Sequence, residues 1–190
     1  FDLRYNPGGS VNTSQLLAGL IAGEHTGKVF GKMVYNEKLA KYNREIEIID
    51  SGIKLGLSRV IFLVTSGSAS ASEMMINGLN PYMDVVLIGN KTYGKNVGSF
   101  IVYDYIDNNQ TKNPNHTWAL LPITFGIFNS VGFGDYGDGF SPNIELNEDL
   151  ENLGVSSSQL TTVSYGEEKP MVKTRSEDAF AKNRRAVLVY

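Results

Sequence analysis

The chain contains no cysteine. Disulfide staples and thiolate metal sites are therefore excluded, and so is the usual sequence clue to redox compartment. Histidine is almost as scarce, with only His25 and His116, which leaves little material for imidazole chemistry. No excess of basic residues exists: the formal charge is −3, so nothing balances the phosphates of a nucleic-acid partner. No apolar run approaches the length of a membrane span. Internal repeats and low-complexity tracts are also missing. What remains is ordinary for a folded domain. An apolar fraction of 42% and a charged fraction of 19% over 190 residues support one sizeable core, with little room for a second full domain. The chain opens on "FDLRYNPGG" rather than on methionine, which leads us to expect a fragment whose leader would lie upstream.

Local patterns read as an α/β protein. "FDLRYN" is short and extended, and a Pro-Gly-Gly turn separates it from "NTSQLLAGLIAG", where Leu16, Leu17, Leu20 and Ile21 recur at helical spacing. Residues 28–50 alternate and carry many charges, fitting strand or mixed surface structure. "RVIFLVT" (59–65) is an unbroken, β-branched apolar run, as expected of a strand buried on both faces. "ASEMMINGLNPY" places Met74, Met75 and Leu79 on one helical face and stops at Pro81. "DVVLIG" (84–89) is a further buried strand. Strand, helix and strand at this spacing predict a right-handed βαβ unit with parallel strands. Downstream, "SFIVYDYI" and "TWALLPITFGIF" read as strands around a polar turn, and "GFGDYGDGFSPN" as a glycine-rich loop.

Ligand crevices in parallel sheets lie beyond the carboxyl ends of the strands. Three such ends are recognisable: "NPGG" (6–9), "SGSASASE" (66–73) and "TYGKN" (92–96). Ser70 with Glu73 three residues on fits a capping box, a common device at helix starts. A serine attacks only when a base is within reach, and neither histidine has an evident orienting partner in the sequence, so a histidine triad is not indicated. Lys95 is the remaining base candidate. A basic lysine must be neutral, which requires its pKa to fall from about 10.4 to roughly 7–8, a cost of about 3–5 kcal/mol that burial supplies. Lys95 is therefore expected to point inward. The amide of Ala71, at the positive end of the helix, is a natural oxyanion donor, and Gly8 or Gly9 can present a second.

Two rival motifs fall short. "GNKTYGKN" (89–96) nearly matches a phosphate-binding loop, but Asn96 stands where the magnesium-binding hydroxyl belongs and no helix follows. "GDYGDG" (134–139) lacks the spacing and closing glutamate of a calcium loop. The Asn-x-Ser/Thr patterns at Asn12, Asn109 and Asn115 are of a kind frequent by chance.

Together, "DLRYNPGG", "SGSASASE" and "GNKTYGKNVG", with "LLPITFGIFN", "YGDGFSPNIEL" and "NEDLENLG" after them, resemble the C-terminal processing proteases, or tail-specific proteases, a family of Ser–Lys peptidases. The resemblance covers about residues 1–154 and implies a ClpP/crotonase-like core. It also implies Ser70 as nucleophile, Lys95 as base, Ala71 with Gly8 or Gly9 as oxyanion donors, and no cofactor. Some members support the lysine with a glutamine four residues on; here that position is Ser99. The N-terminal segment and PDZ domain usual in the family would precede residue 1. Residues 155–190 instead resemble the end of the peptidoglycan-associated lipoprotein and other OmpA-like domains, a short α+β tail. The ligand-binding residues of that family have no counterpart here, so peptidoglycan contact is unsupported.

The expectation is thus a serine endopeptidase acting on protein or peptide substrates, extracytoplasmic in a bacterium. The competing expectation is a non-catalytic envelope protein that holds a peptide in the same fold.

Overall fold

The computed structural model describes residues 1–147 in full and, beyond them, the backbone of 161–164 and 186–189. Contacts divide the chain into two units, Phe1–Leu146 and Asn147–Tyr190. In the second, Thr161–Ser164 pairs antiparallel with Ala186–Val189. The helical part of the expected α+β tail lies outside the described residues.

The first unit is a mixed α/β structure. Helix α1 spans Val11–Ile21, and Ser10 caps it by accepting the Thr13 N–H on its hydroxyl at 3.3 Å. Strands β1 (Val29–Tyr35), β2 (Arg44–Glu47), β3 (Arg59–Val64) and β4 (Asp84–Gly89) follow, with helix α2 (Ala71–Leu79) between β3 and β4. Next come β5 (Val97–Ser99), β6 (Val102–Tyr103), β7 (Ala119–Leu120), β8 (Ile123–Phe128) and β9 (Ile144–Glu145).

β3 and β4 run parallel, in register from Arg59 opposite Asp84 to Val64 opposite Gly89. β9 joins the outer side of β4 in parallel, and residues 1–3 lie along β3, with Leu3 N–H donating to the Leu63 carbonyl at 2.9 Å. The carboxyl ends of residues 1–3, β3 and β4 therefore emerge on one side. A second sheet, in the order β2-β1-β8-β5, is antiparallel throughout.

One expectation about burial needs correction. β3 is buried on one face only: Val60, Phe62 and Val64 are enclosed, whereas Ile61 is 44% exposed, since none of the described elements covers its other face. α1 buries Ser14, Ala18, Gly19 and Ile21 rather than its leucines, and Leu16 is 49% exposed. Small side chains are needed there because α1 packs closely on α2, and Ser14 Oγ donates to the Ala71 carbonyl at 3.1 Å. α2 has no solvent face, for all nine of its residues are buried, as expected of a helix enclosed by neighbours on every side. Phe30, Phe62 and Ile21 join Met74 of α2 in the core, each burial worth roughly 1.5–3 kcal/mol. Ser70 stands immediately before α2, as its N-cap. Among the described residues no helix is long and apolar enough to cross a membrane.

Candidate active site

The hydroxyl-rich turn between β3 and α2 is bolted to the first segment of the chain. Thr65 Oγ1 donates to the Arg4 carbonyl, Ser68 Oγ to the Leu3 carbonyl at 2.5 Å, and Ser72 Oγ to the Asn6 carbonyl at 2.9 Å. Ser68 Oγ also accepts the Thr65 N–H at 3.0 Å, and the Ala69 N–H donates to Asn6 O at 3.1 Å. These neighbours of Ser70 spend their hydroxyls on carbonyls of residues 3–6, and so hold the Pro-Gly-Gly loop against the start of α2. Farther back, the Arg4 guanidinium beside Asp2, 2.7 Å away, lowers the Asp2 carboxyl below its ordinary value.

Ser70 caps α2 with φ 55° and ψ −114°, a conformation normally left to glycine at the first central position of a type II′ turn. Holding a serine there costs on the order of 1–3 kcal/mol, and such strain concentrates at functional sites. Gly8 lies directly against it. A Cβ at Gly8, whose φ is +94°, would fall 2.5 Å from Ala71 N, 2.6 Å from Ala69 O and 2.8 Å from Ser70 Cβ. Only a residue without a side chain lets the loop approach so near. The Gly8 N–H is taken by Asn6 Oδ1 at 3.0 Å; Gly9, with φ +134°, borders open space.

Beneath this turn sits Glu73, fully enclosed at 0% exposure. The capping box read from sequence is present, but the carboxylate does more than close it. Its Oε2 accepts the Ser70 N–H at 2.9 Å and the Lys95 N–H at 2.8 Å, while Oε1 accepts the Thr92 hydroxyl and the Gly94 N–H, both at 2.6 Å. The Phe140 N–H donates to Thr92 Oγ1 at 2.7 Å. The loop after β4 is thus held by Glu73 on one side and by residues 134–140 on the other, where Asn96 Nδ2 also donates to Gly134 O at 2.8 Å. Tyr136 stacks on Phe140 with 4.8 Å between ring centroids. Among the described residues its hydroxyl is buried without a partner, and burial together with the nearby Glu73 charge pushes its pKa far above the ordinary tyrosine value.

Sequence reasoning assigned Glu73 to the cap alone and passed over Thr92, Asn6 and Tyr136. The Ser-x-x-Glu spacing signalled the cap, but nothing in it signalled partners 19 to 22 residues away.

Lys95 departs from expectation. Its side chain is exposed, because Glu73 anchors the loop through backbone amides from below and leaves the side chain on the solvent side. Ser99 lies on β5 opposite Ile123, beside a register shift, and among the described residues no hydrogen bond joins it to Lys95. Both histidines do have neighbours: His25 packs on Tyr82, with ring centroids 4.9 Å apart, and His116 Nδ1 is 2.5 Å from Asp104 Oδ2. Neither is hydrogen-bonded to Ser70. Among the described residues no group of three His, Asp or Glu side chains is placed to hold a metal ion.

Residues 1–115, which carry the Gly-Gly loop, the Ser70 turn and the Lys95 loop, match the profile of Peptidase family S41. The chain belongs to peptidase family S41. This S41 chain is 35% identical to an S41-assigned protease structure from Bacteroides fragilis, with a TM-score of 0.69 over 78% of its own length and 37% of the other chain. The photosystem II D1 C-terminal processing protease shares the fold at 18% identity, with a TM-score of 0.57 over 77% of this chain and 33% of that one. Among curated sequences, a CtpA-like serine protease of Staphylococcus epidermidis is 27% identical over 175 residues, 91% of this chain and 32% of the relative. A second similarity, 62% over 41 residues, links 22% of the chain to 27% of the peptidoglycan-associated lipoprotein of Pasteurella multocida. The S41 chain thus spans about a quarter to a third of the curated relatives it matches.

Proposed function

We propose that this chain is the core of a serine endopeptidase with Ser70 as nucleophile and Lys95 as general base. The observation that carries the reading is the strained Ser70 at the head of a fully buried helix, with Gly8 pressed against it. That arrangement sets the Ser70 hydroxyl at the head of the helix, with the Ala71 amide at the positive helix end as its neighbour.

Substrate binding brings the flexible Lys95 stem from its exposed position onto Ser70, since catalytic hydrogen bonds tighten only in the Michaelis complex. Lys95 Nζ takes the Ser70 proton as Oγ bonds to the scissile carbonyl carbon. The Ala71 and Gly9 amides receive the oxyanion, and Gly8 provides the close approach. Lys95 passes the proton to the departing amine as the C–N bond breaks, and water then cleaves the acyl-enzyme by the same route. No cofactor is called for in these steps.

We assign residues 1–154 to the peptidase core, of ClpP/crotonase-like architecture with the β3-α2-β4 unit at its centre, and residues 155–190 to a partial OmpA-like segment. Protein or peptide substrates and a bacterial envelope location follow from the names of the relatives. The reading is tested by incubating the chain, Ser70→Ala and Lys95→Ala with an unfolded protein and identifying products by mass spectrometry. Cutting lost in both variants supports the pair. Cutting that survives Ser70→Ala refutes it, and no cutting by any of the three favours the peptide-holding alternative.

A further inference from the structure

We infer that Glu73 is the positioning residue that couples the nucleophile to the base, so that Ser70 and Lys95 are brought into place together by one buried carboxylate. The inference rests on the Ser70–Lys95 reading and adds to it a residue that touches neither substrate nor reacting atoms.

Donor direction makes the case. Three of the four groups bonded to Glu73 are backbone N–H groups, which can only donate. The fourth is the Thr92 hydroxyl, whose oxygen already accepts the Phe140 N–H. Its proton is therefore left for Glu73. Both carboxylate oxygens must accept, and each accepts twice. Oε2 joins the amide of the nucleophile directly to the amide of the base residue. Such charge-assisted bonds in an enclosed site are strong and cooperative, so displacing one loop loosens the other. The Ser70 conformation at φ 55° has its N–H tethered by this same oxygen, and the loop from Thr92 to Lys95 has no other buried anion beneath it among the described residues. A glutamate that merely capped α2 would need only the bond to Ser70.

Glu73→Gln tests the coupling because it preserves size and places an NH2 donor against at least one backbone N–H that can only donate, whichever way the amide turns. The full chain is compared with Glu73→Gln, Thr92→Val and the double variant. Readouts are kcat, KM, the pH dependence of kcat/KM, the rate of Ser70 labelling by a fluorophosphonate, and amide hydrogen exchange. A displacement of about 1 Å at a catalytic group costs on the order of 10²-fold. We expect kcat to fall about that much in Glu73→Gln with KM within twofold, and the pH limb attributed to Lys95 to move. Thr92→Val should lose about 10-fold, and add little on top of Glu73→Gln. The amides of Ser70, Gly94 and Lys95 should lose exchange protection together.

A folded Glu73→Gln with kcat within threefold of the unmodified chain and an unmoved pH profile overturns the inference. Should that variant fail to fold, Thr92→Val decides: unchanged kcat overturns the inference, and a kcat loss at constant KM supports it. An unmodified chain that neither cleaves nor labels defeats the peptidase reading separately. Exchange then judges the coupling, with joint loss of protection supporting it and independent loss overturning it.

Discussion

Replacing Gly8 by alanine adds one methyl group at the tightest point of the site. Its Cβ would lie 2.5 Å from Ala71 N and 2.6 Å from Ala69 O, and both of those atoms are backbone, so no side chain can swing away to make room. The positive φ of +94° adds a penalty of about 1–2 kcal/mol for any L-residue with a side chain. The Gly-Gly loop must therefore retreat from the Ser70 turn by several tenths of an ångström or more, carrying the Gly9 amide with it. Loss of one oxyanion donor costs about 10²–10³ in kcat, or roughly 2.7–4 kcal/mol. We expect Gly8→Ala to cut kcat by at least about 10²-fold while lowering the melting temperature by several degrees, because the 1–2 kcal/mol of strain acts on a small unit. Gly9→Ala is the control: its Cβ meets nothing within 4 Å, so it should add only the backbone strain of its own φ and destabilise less. The assay is steady-state cleavage of an unfolded protein, with thermal unfolding by circular dichroism alongside. A Gly8→Ala chain with unchanged kcat and melting temperature would falsify the claim that this loop must touch the serine turn.

Two further outcomes follow from buried hydroxyls elsewhere in the site. Ser68 is 0% exposed and both accepts from Thr65 N–H and donates to Leu3 O, so Ser68→Ala strands the Thr65 N–H and leaves Leu3 O with the Asn6 N–H as its donor. It should lower stability by about 1–3 kcal/mol in chemical denaturation, and a change under 0.5 kcal/mol, the ordinary surface range, would contradict the bolt described here. Tyr136 has its pKa raised by burial and by Glu73, so above the unfolded value of about 10 the unfolded chain gives up a proton that the folded one retains. Stability should therefore fall with rising pH beyond that point, by up to about 1.4 kcal/mol per unit. Tyr136→Phe should remove this slope and, by deleting a hydroxyl that has no partner among the described residues, leave neutral-pH stability equal or higher; a lower stability at pH 7 would refute that reading.

Much of the site was legible in the sequence because short-range spacing encodes it. Ser-x-x-Glu before an apolar helix marks the start of α2 whatever surrounds it, and paired glycines mark a loop that comes close to something. Burial direction was less legible. The run at 59–65 is apolar on both faces, yet β3 buries only Val60, Phe62 and Val64, since the cover over a sheet face is supplied by distant parts of the chain. Similarly, helical spacing of the α1 leucines did not say which of them would be enclosed: Leu16 is exposed, while Ser14, bonded to the Ala71 carbonyl, and Ala18 are buried.

The residues alone determined the kind of chemistry on offer: no thiolate, scarcely any imidazole, and hydroxyl, amine and glycine gathered at three strand ends in a fixed order. These are properties of composition and near-neighbour spacing, which folding does not alter. Tertiary structure decided which atoms meet. It brought Gly8 onto the Ser70 turn, made one carboxylate serve both Ser70 and Lys95, and turned the Lys95 side chain to solvent. It also placed an antiparallel sheet beside the parallel strands. Each of these depends on strand pairings between segments tens of residues apart, and a hydrogen bond 2.8 Å long exists only once those pairings have set the distance.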